Sequence, residues 1–514
     1  MLPKPPYDFY ELLISFYSMI PDSTALSNQA MPSNVLVKLG FSWPLIVGIL
    51  AFVSVILNQN SLVLADPDSL MHITAGNWIL NHHLVPLIDP FSFHTEGKTW
   101  IDHEWLAQVL WATAYNLGSF SGVKILTASL FAVTLALQLR YVLQYIPAIY
   151  GLLFSAICYL SLQGHLLARP HLMTWPIIII WFGYLLNASS KRTSPPLFLL
   201  PLMVLWANLH GSFLLGLALT PVIAIDAIVG SSRAERISLL KSWTQFFVLA
   251  IFASLITPFF WRGWEFGITL MSSPYITRII EWAPATGSAV ISIEIWTMIL
   301  LVFSLYGRVQ FSLGRIILLL GILHESLAHI RYISIVGLLI PLLIAEPFGR
   351  AYPNKLNAQH SIDIFFKALC SPAKKLTLLL TCSSCILLGI ILENANPIKP
   401  NPEIAPTDAI AYVEQEKIAG NVVNSYIFGG YLIFKNIPVF IDGRADLHGG
   451  PDVNDYYQIT ESADFKKIAN LLDKNKINWA IFAPTDKALI YFDTQPGWKK
   501  VYEDEYALVY VRKT

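Results

Sequence analysis

Charge is scarce in this chain. Asp, Glu, Lys and Arg make up 13% of its 514 residues, about half of the ~25% usual in soluble domains, which argues against an ordinary soluble enzyme. Cysteine is scarce too, and four residues cannot build a disulfide framework. Net charge is absent, with 34 basic against 34 acidic residues, so the chain carries no electrostatic footprint for nucleic acid. It has no Gly-x-Gly-x-x-Gly or Walker A motif to cradle a nucleotide. Nor does it open on a basic segment followed by a short apolar run and a small-residue cleavage site, so no cleavable signal peptide is expected. What it has instead is 55% hydrophobic residues, a mean hydropathy of +0.54, and 15 Trp, 22 Tyr and 29 Phe, enough for interfacial aromatic belts. These features describe a polytopic membrane protein.

The few charges are unevenly spread. The first 392 residues hold 38 of them and the last 122 hold 30, roughly 10% against the 25% of a soluble domain. The change falls in Glu393–Pro402, where three prolines forbid a continuing helix. The expected fold is a mostly α polytopic membrane domain followed by a small soluble α/β domain. A cytoplasmic segment 1–40 precedes the membrane domain at 41–392, 393–402 is a linker, and 403–514 is the soluble part. A crossing helix needs about 17–25 mostly apolar residues. Eleven stretches qualify or nearly so: 41–58, 121–144, 147–163, 172–188, 197–210, 211–229, 243–260, 290–306, 313–327, 332–347 and 376–392. The run 197–229 is divided at His210-Gly211, because one helix of that length would reach about 50 Å at 1.5 Å per residue. The stretch 104–117 reads as an interfacial or re-entrant helix within a first outer loop that extends from 59 to 120. Residues 7–20 read as an amphipathic helix on the inner surface, or as chance amphipathicity.

With the N-terminus inside, fifteen basic residues of the membrane domain fall on inner segments. Six fall outside: Lys98, Lys124, Arg169, Arg262, Arg278 and Arg331. This satisfies the positive-inside rule and places the soluble domain outside. For a bacterial-type chain the expectation is a multi-pass inner-membrane protein with a periplasmic C-terminal domain.

Ionisable groups at membrane depth are costly and tend to mark function, and here they gather on the outer side. The first loop carries Asp66, Asp68, His72, Lys98, His103 and Glu104. Later turns carry His165, Arg169 and His171, then His210, then Glu281, and finally His324, Glu325, His329 and Arg331. They read as the lining of one outward cavity, against snorkelling and helix-end hydrogen bonding as the plain alternative. Two carboxylates two residues apart, Asp66 and Asp68, suit a divalent metal or a general base, and equally an ordinary cap for a helix over 69–80. Arg169 and Arg331 suit a forked grip on phosphate or on lipid headgroups. His324-Glu325-x3-His329 lacks the i, i+4 histidine pair of zinc proteases, and Cys382-x2-Cys385 has no second pair to complete a zinc site.

The soluble part reads as mixed α/β. A helix is expected over Thr407–Lys417 with Thr407 as its cap, and another over Asp464–Asn475. Strands are expected at Val422–Tyr426, Tyr431–Phe434, Pro438–Ile441, 479–483 and Ala507–Val511. The segment Asp442-Gly443-Arg444-Ala445-Asp446 follows a strand, where α/β folds place binding groups, although an Asp–Arg pair fastening a loop is the simpler reading. The domain is expected to recognise an acceptor or to cap the cavity.

The first loop, DPDSLMHITAGNWILNHHLVPLIDPFSFHTEGKTWIDHEWLAQ, resembles the opening loop of bacterial GT-C glycosyltransferases. The likeness lies in its acidic pair, short helix, VPLIDPFSF and W-x-x-x-EWLAQ, and it continues in ARPHL, WANLHGSFLLG, SPYITRIIEW and FIDGRAD. It covers most of the chain in order and spacing. HEWL (His103–Leu106) stands where the protein O-mannosyltransferases and aminoarabinose transferases have an HPPL-type segment. The resemblance implies an inverting transfer of a sugar from a polyprenyl-phosphate carrier to an acceptor hydroxyl on the outer membrane face. The acceptor would be a glycan, lipid or protein. The resemblance implies Asp68 as general base, with Asp66 second. It also implies that Arg169, Arg331, Lys98 and His171 hold the departing phosphate, and that Mg²⁺ or Mn²⁺ binds at Asp66/Asp68 in members that need a metal. His72, His103, Glu104, His165, His210, His324, Glu325 and His329 would line the rest of the cavity. A lipid-linked-glycan transporter is the alternative, but the chain shows neither the internal repeat nor the midplane polar groups that one would need. A non-catalytic envelope scaffold is the other.

Overall fold

The computed structural model of the chain describes residues 33–58, 61–271, 280–307, 309–352, 361–444, 447–448 and 451–513. The 7–20 stretch, Arg278 and Asp446 lie outside the described residues. The larger, N-terminal part is a bundle of α1 (Trp43–Leu57), α2 (Asp68–His82), α3 (Trp105–Val142), α4 (Ala148–Leu162), α5 (Pro170–Lys191), α6 (Leu199–Leu209), α7 (Phe213–Val229), α8 (Arg233–Ser254), α9 (Ile291–Leu305), α10 (Leu313–Ala328), α11 (Ile333–Ala351) and α12 (Lys375–Ala395). α5 and α11 run through its centre with most of their surface covered, while α12 sits at its margin with little covered.

Among the described residues, six helical stretches are long and apolar enough to cross a membrane: Trp105–Val142, Pro170–Lys191, Arg233–Ser254, Gly287–Leu305, Ile330–Ala351 and Lys375–Ala395. The other expected crossings coincide with α1, α4, α6, α7 and α10, which are 11–17 residues long. Helix length alone therefore supports six crossings rather than eleven. The run 197–229 does break where expected, with His210 extended (φ −169°, ψ 146°) between α6 and α7. α3 is two helices in sequence. Its backbone leaves helical geometry at Gly118 and Ser119, and Ser119 takes φ 53°. Gly122 then packs against the Ala114 carbonyl, an atom that a straight helix would hold about 12 Å away. The interfacial piece expected at 104–117 is thus set off from the crossing piece by a sharp bend.

The smaller C-terminal unit builds on a four-stranded sheet in the order β1-β2-β4-β3, with β1 (Asn421–Asn424), β2 (Ile477–Phe482), β3 (Trp498–Glu503) and β4 (Leu508–Arg512). β1 and β2 pair in parallel, and the other pairings are antiparallel. α13 (Thr407–Gln415), α14 (Gly429–Phe434), α15 (Pro451–Glu461), α16 (Phe465–Lys474) and α17 (Leu489–Thr494) complete it. The sheet has a core on each face. One is closed by the C-terminal helices, with Ile459, Ile468, Leu472 and Phe492. The other is completed by the first loop: Leu70, Met71, Ala75 and Trp100 join Val422, Phe428, Leu432 and Val509.

Four details differ from the sequence reading. Tyr431–Phe434 is helical, because Tyr431, Leu432 and Ile433 are all buried and a short apolar run carries no period to distinguish strand from helix. Pro438–Ile441 forms only an isolated bridge, Val439 to Ser92. Thr407 is the first helical residue of α13 rather than its cap, and Pro406 precedes it with no side-chain hydrogen bond. Trp498–Glu503 is a strand that sequence reasoning missed, its lysines fitting an edge position.

Candidate active site

The acidic pair sits at the entrance to α2. Asp66 Oδ1 accepts a hydrogen bond from the Asp68 amide (2.9 Å), an Asx turn that fixes the carboxylates side by side. Arg169 is held opposite them by its own backbone. Pro170, the first residue of α5, forces the preceding residue into an extended conformation (φ −123°, ψ 158°). The guanidinium Nη1 lies 3.2 Å from Asp66 Oδ2 and Nη2 lies 3.2 Å from Asp68 Oδ2, while Nη1 also pairs with Glu281. Glu281, noticed in the sequence only as one more outer polar group, is a full member of the cluster. No spacing rule would have joined it to a residue 112 positions away. Burial and the neighbouring Asp66 charge push the Asp68 carboxyl up to about 8, against the opposing pull of Arg169.

A second group stands beside the first. Glu104, the residue before α3, faces three imidazoles: His210 Nε2 at 3.5 Å, His103 Nε2 at 3.6 Å and His72 Nε2 at 3.9 Å. Burial pushes the Glu104 carboxyl up to about 7, with Arg169 and Arg331 opposing. The His72 ring is buried, and neither of its nitrogens has a hydrogen-bond partner among the described residues. Burial pushes its pKa well below the usual imidazole range, and the Arg169 charge acts in the same direction. His171 Nε2 contacts the His165 carbonyl (3.1 Å), and its ring lies 6.4 Å from that of His210.

Arg331 stacks on Trp282, 4.5 Å from the ring centroid, directly beside Glu281 in sequence. No described carboxylate lies within ion-pair distance of it. His329 Nδ1 contacts the Trp282 carbonyl at 2.8 Å. His324 and Glu325 are exposed on α10 and enter neither cluster, apart from a 4.0 Å approach of Glu325 to His329. Lys98 lies in the 88–99 turn packed against the C-terminal unit and takes no part in the ion pairs around Arg169.

The C-terminal unit closes directly over the acidic pair. Gly443 and Gly430 are pressed against Asp68 and the Pro67 carbonyl so tightly that neither has room for a side chain. Beneath Gly443, Asp442 takes two hydrogen bonds from the Arg444 guanidinium, one from the Arg444 amide and a contact from His448 (3.0 Å), while Arg444 Nη1 reaches Asp89 at 2.6 Å. The guanidinium also stacks on Trp100 (4.8 Å). Facing charges of Arg444 and His448 outweigh burial and hold the Asp442 carboxyl far below the usual range. The Asp–Arg pair does fasten a loop, and that loop is the roof of the site.

Next to Glu104 an apolar groove of about 600 Å³ opens along α6, lined by Trp105, Leu106, Val204, Leu205, Ile256 and Phe260. Trp105 Nε1 donates to Asn208 Oδ1 (2.9 Å) at its polar edge.

The site does not fit a divalent cation. Asp66 and Asp68, the residues the sequence offers as metal ligands, direct their carboxylates at the Arg169 guanidinium. Among the described residues, no group of three or more His, Cys, Asp or Glu is arranged to hold a metal.

No protein-family model matches the chain, and no curated protein sequence does either. Solved structures do. The oligosaccharyltransferase AglB of Archaeoglobus fulgidus, in complex with an inhibitory peptide and a dolichol-phosphate, aligns at a TM-score of 0.55 and 11% identity, over 86% of this chain and 69% of that one. The same enzyme tethered to an acceptor peptide containing the NVT sequon aligns at 0.52 and 12%, over 86% and 68%. ArnT of Cupriavidus metallidurans bound to undecaprenyl phosphate aligns at 0.47 and 10%, over 90% and 97%. The fold is shared with these archaeal oligosaccharyltransferase structures, and the protein is a multi-pass membrane protein.

Proposed function

We propose that the protein transfers a sugar from a polyprenyl-phosphate donor to an acceptor hydroxyl with inversion, on the periplasmic face of a bacterial inner membrane. The observation that carries this reading is the convergence of Asp66, Asp68, Arg169 and Glu281 from three separate segments beside an apolar groove, in a chain that shares its fold with archaeal oligosaccharyltransferase structures. Asp68 is the general base. It takes the acceptor proton as the acceptor oxygen bonds to the anomeric carbon and the bond from that carbon to the phosphate oxygen breaks. The polyprenyl phosphate leaves with the electron pair. Its growing charge needs fixed donors, and Arg331, stacked on Trp282 without a carboxylate partner among the described residues, is the better placed of the two arginines. Arg169 already serves three carboxylates and anchors the pair, with His171 near it, while Lys98 in the 88–99 turn is too far from the cluster to take the phosphate role. The groove along α6 accepts part of the polyprenyl chain, and the C-terminal unit shapes the acceptor side.

The test is transfer from a polyprenyl-phosphate sugar by the purified full chain. Asp68→Asn is expected to abolish transfer while leaving thermal unfolding cooperative. Undiminished transfer by that variant would refute the assignment.

A further inference from the structure

A different constellation lies one helical turn from Asp68. His72 follows it on the same face of α2, about 5.4 Å further along the axis, and is only 3% exposed. Both of its nitrogens lack a hydrogen-bond partner among the described residues. Buried polar groups are as a rule satisfied, so an imidazole with both nitrogens unspent marks a place for the polar atoms of a ligand. Glu104 faces it, with His210 Nε2 at 3.5 Å, His103 Nε2 at 3.6 Å and His72 Nε2 at 3.9 Å from the carboxylate. All three separations exceed ordinary hydrogen-bond length. The ring orientations divide the roles. His210 Nδ1 accepts from the Ser212 amide (3.0 Å), so the uncharged ring carries its proton on Nε2 and is a donor on the Glu104 side. His103 Nδ1 contacts the Ile101 carbonyl (3.4 Å), which can only accept, so the uncharged ring presents a lone pair at Nε2. A donor, an acceptor, a carboxyl group and the two unspent nitrogens of His72 therefore converge. A hydroxyl group both donates and accepts and matches this mixed set. A phosphate does not, because Glu104 would meet it with like charge.

We propose that Glu104, His72, His103 and His210 form the subsite that grips the hydroxyl groups of the donor sugar. This rests on the transferase reading above and adds to it the place where the sugar is recognised. The groove assigned to the lipid tail begins at Trp105, the residue after Glu104. The base is one turn of α2 from His72, roughly the breadth of a sugar ring. A sugar held there has its hydroxyls on the imidazoles and Glu104 while its anomeric carbon faces Asp68.

The experiment is equilibrium binding of lipids to the detergent-solubilised full chain. Undecaprenyl phosphates carrying glucose, mannose, galactose or N-acetylglucosamine are compared with undecaprenyl methyl phosphate, a diester of the same charge without a sugar. Wild type is expected to bind at least one sugar-bearing lipid about tenfold or more tightly than the methyl ester. Glu104→Gln and His72→Phe are each expected to erase that preference, with affinity for the methyl ester kept or raised. His72→Phe separates recognition from packing, since a phenyl ring filling a merely structural position would leave the preference intact. If that variant fails to fold, Glu104→Gln decides. Equal binding of methyl and sugar-bearing esters by wild type would overturn the subsite while leaving the transferase reading in place. A folded variant that keeps the preference would do the same. A wild-type chain that binds none of these lipids would overturn both.

Discussion

Gly443 of the C-terminal unit lies against Asp68 of the first loop so closely that a Cβ on the glycine would fall 1.6 Å from Asp68 Oδ1. Residues 375 positions apart in sequence thus share one point of the site, and a single methyl group tests whether that contact matters. Gly443→Ala forces either the loop or the carboxylate to move. It is expected to lower transfer about 100-fold or more, because displacements of about 1 Å at a reacting group have that effect, with a smaller loss of thermal stability. Gly430→Ala, whose Cβ would lie 1.9 Å from the Pro67 carbonyl, is expected to act in the same direction. Single-turnover transfer and thermal unfolding of both variants check this.

The raised pKa of Asp68 gives two pH predictions of opposite sign. A base that ionises at about 8 is mostly protonated at neutral pH, so kcat/KM is expected to rise from pH 6 and level off above about 8. Stability runs the other way. The folded protein holds this proton more tightly than the unfolded chain, whose Asp titrates at 3.8. The favourable contribution is therefore present below that value and is lost as pH climbs towards 8. Asp68→Asn is expected to lose transfer by about 10²–10⁴-fold yet to unfold at a higher temperature than wild type at pH 8, by several degrees. A variant destabilised at that pH would contradict the assigned environment.

The two arginines are expected to separate cleanly. Arg331→Ala removes a charge that no described carboxylate pairs with. It should weaken binding of polyprenyl phosphate by about tenfold to a hundredfold with little change in thermal stability. Arg169→Ala leaves three acids without their cation, so it should cost about 3–5 kcal/mol in stability when measured by denaturant unfolding. Equal destabilisation by both would remove the distinction.

The roof of the site rests on a buried network. Arg444→Met leaves Asp442 and Asp89 facing each other without the guanidinium that joins them. Loss of a buried partner of this kind costs about 3–5 kcal/mol. The variant is expected to expose the first loop to proteolysis before the bundle is cut, as limited digestion would show.

The groove offers a steric test. Val204→Trp fills part of a space of about 600 Å³ and is expected to discriminate against long polyprenyl chains while sparing short ones, as competition between donors of two chain lengths would reveal.

Much of this was legible in the residues, and the reasons are physical. The membrane domain announced itself through charge depletion, and the break at His210-Gly211 through the reach of a helix. The acidic pair and the arginines stood out because ionisable groups beside crossing helices are rare. What the sequence could not convey was which of them meet. Asp66 and Asp68 share a local turn, but Glu281 joins them only through the packing of α5 and the 280–282 turn. Gly443 reaches Asp68 only through the shared core of the first loop and the sheet. Composition drew a boundary at Glu393–Pro402, while packing placed Leu70, Met71 and Trp100 in the core of the C-terminal unit. The helix at 429–434 was hidden for a related reason, since full burial erases the periodicity that separates helix from strand.

The shared core has a consequence for how the chain is made. α2 leaves the ribosome early, but Phe428, Leu432 and Val439, against which it must pack, come more than 340 residues later. The Ser92–Val439 hydrogen bond alone spans 347 positions. At the ~5–20 residues per second of synthesis, the acidic loop must wait tens of seconds in the membrane without its roof. The site therefore cannot assemble until Gly430 and Gly443 have been translated. The bundle alone lacks the centre of the site, which is complete only when the acidic loop meets residues some 350 positions further along.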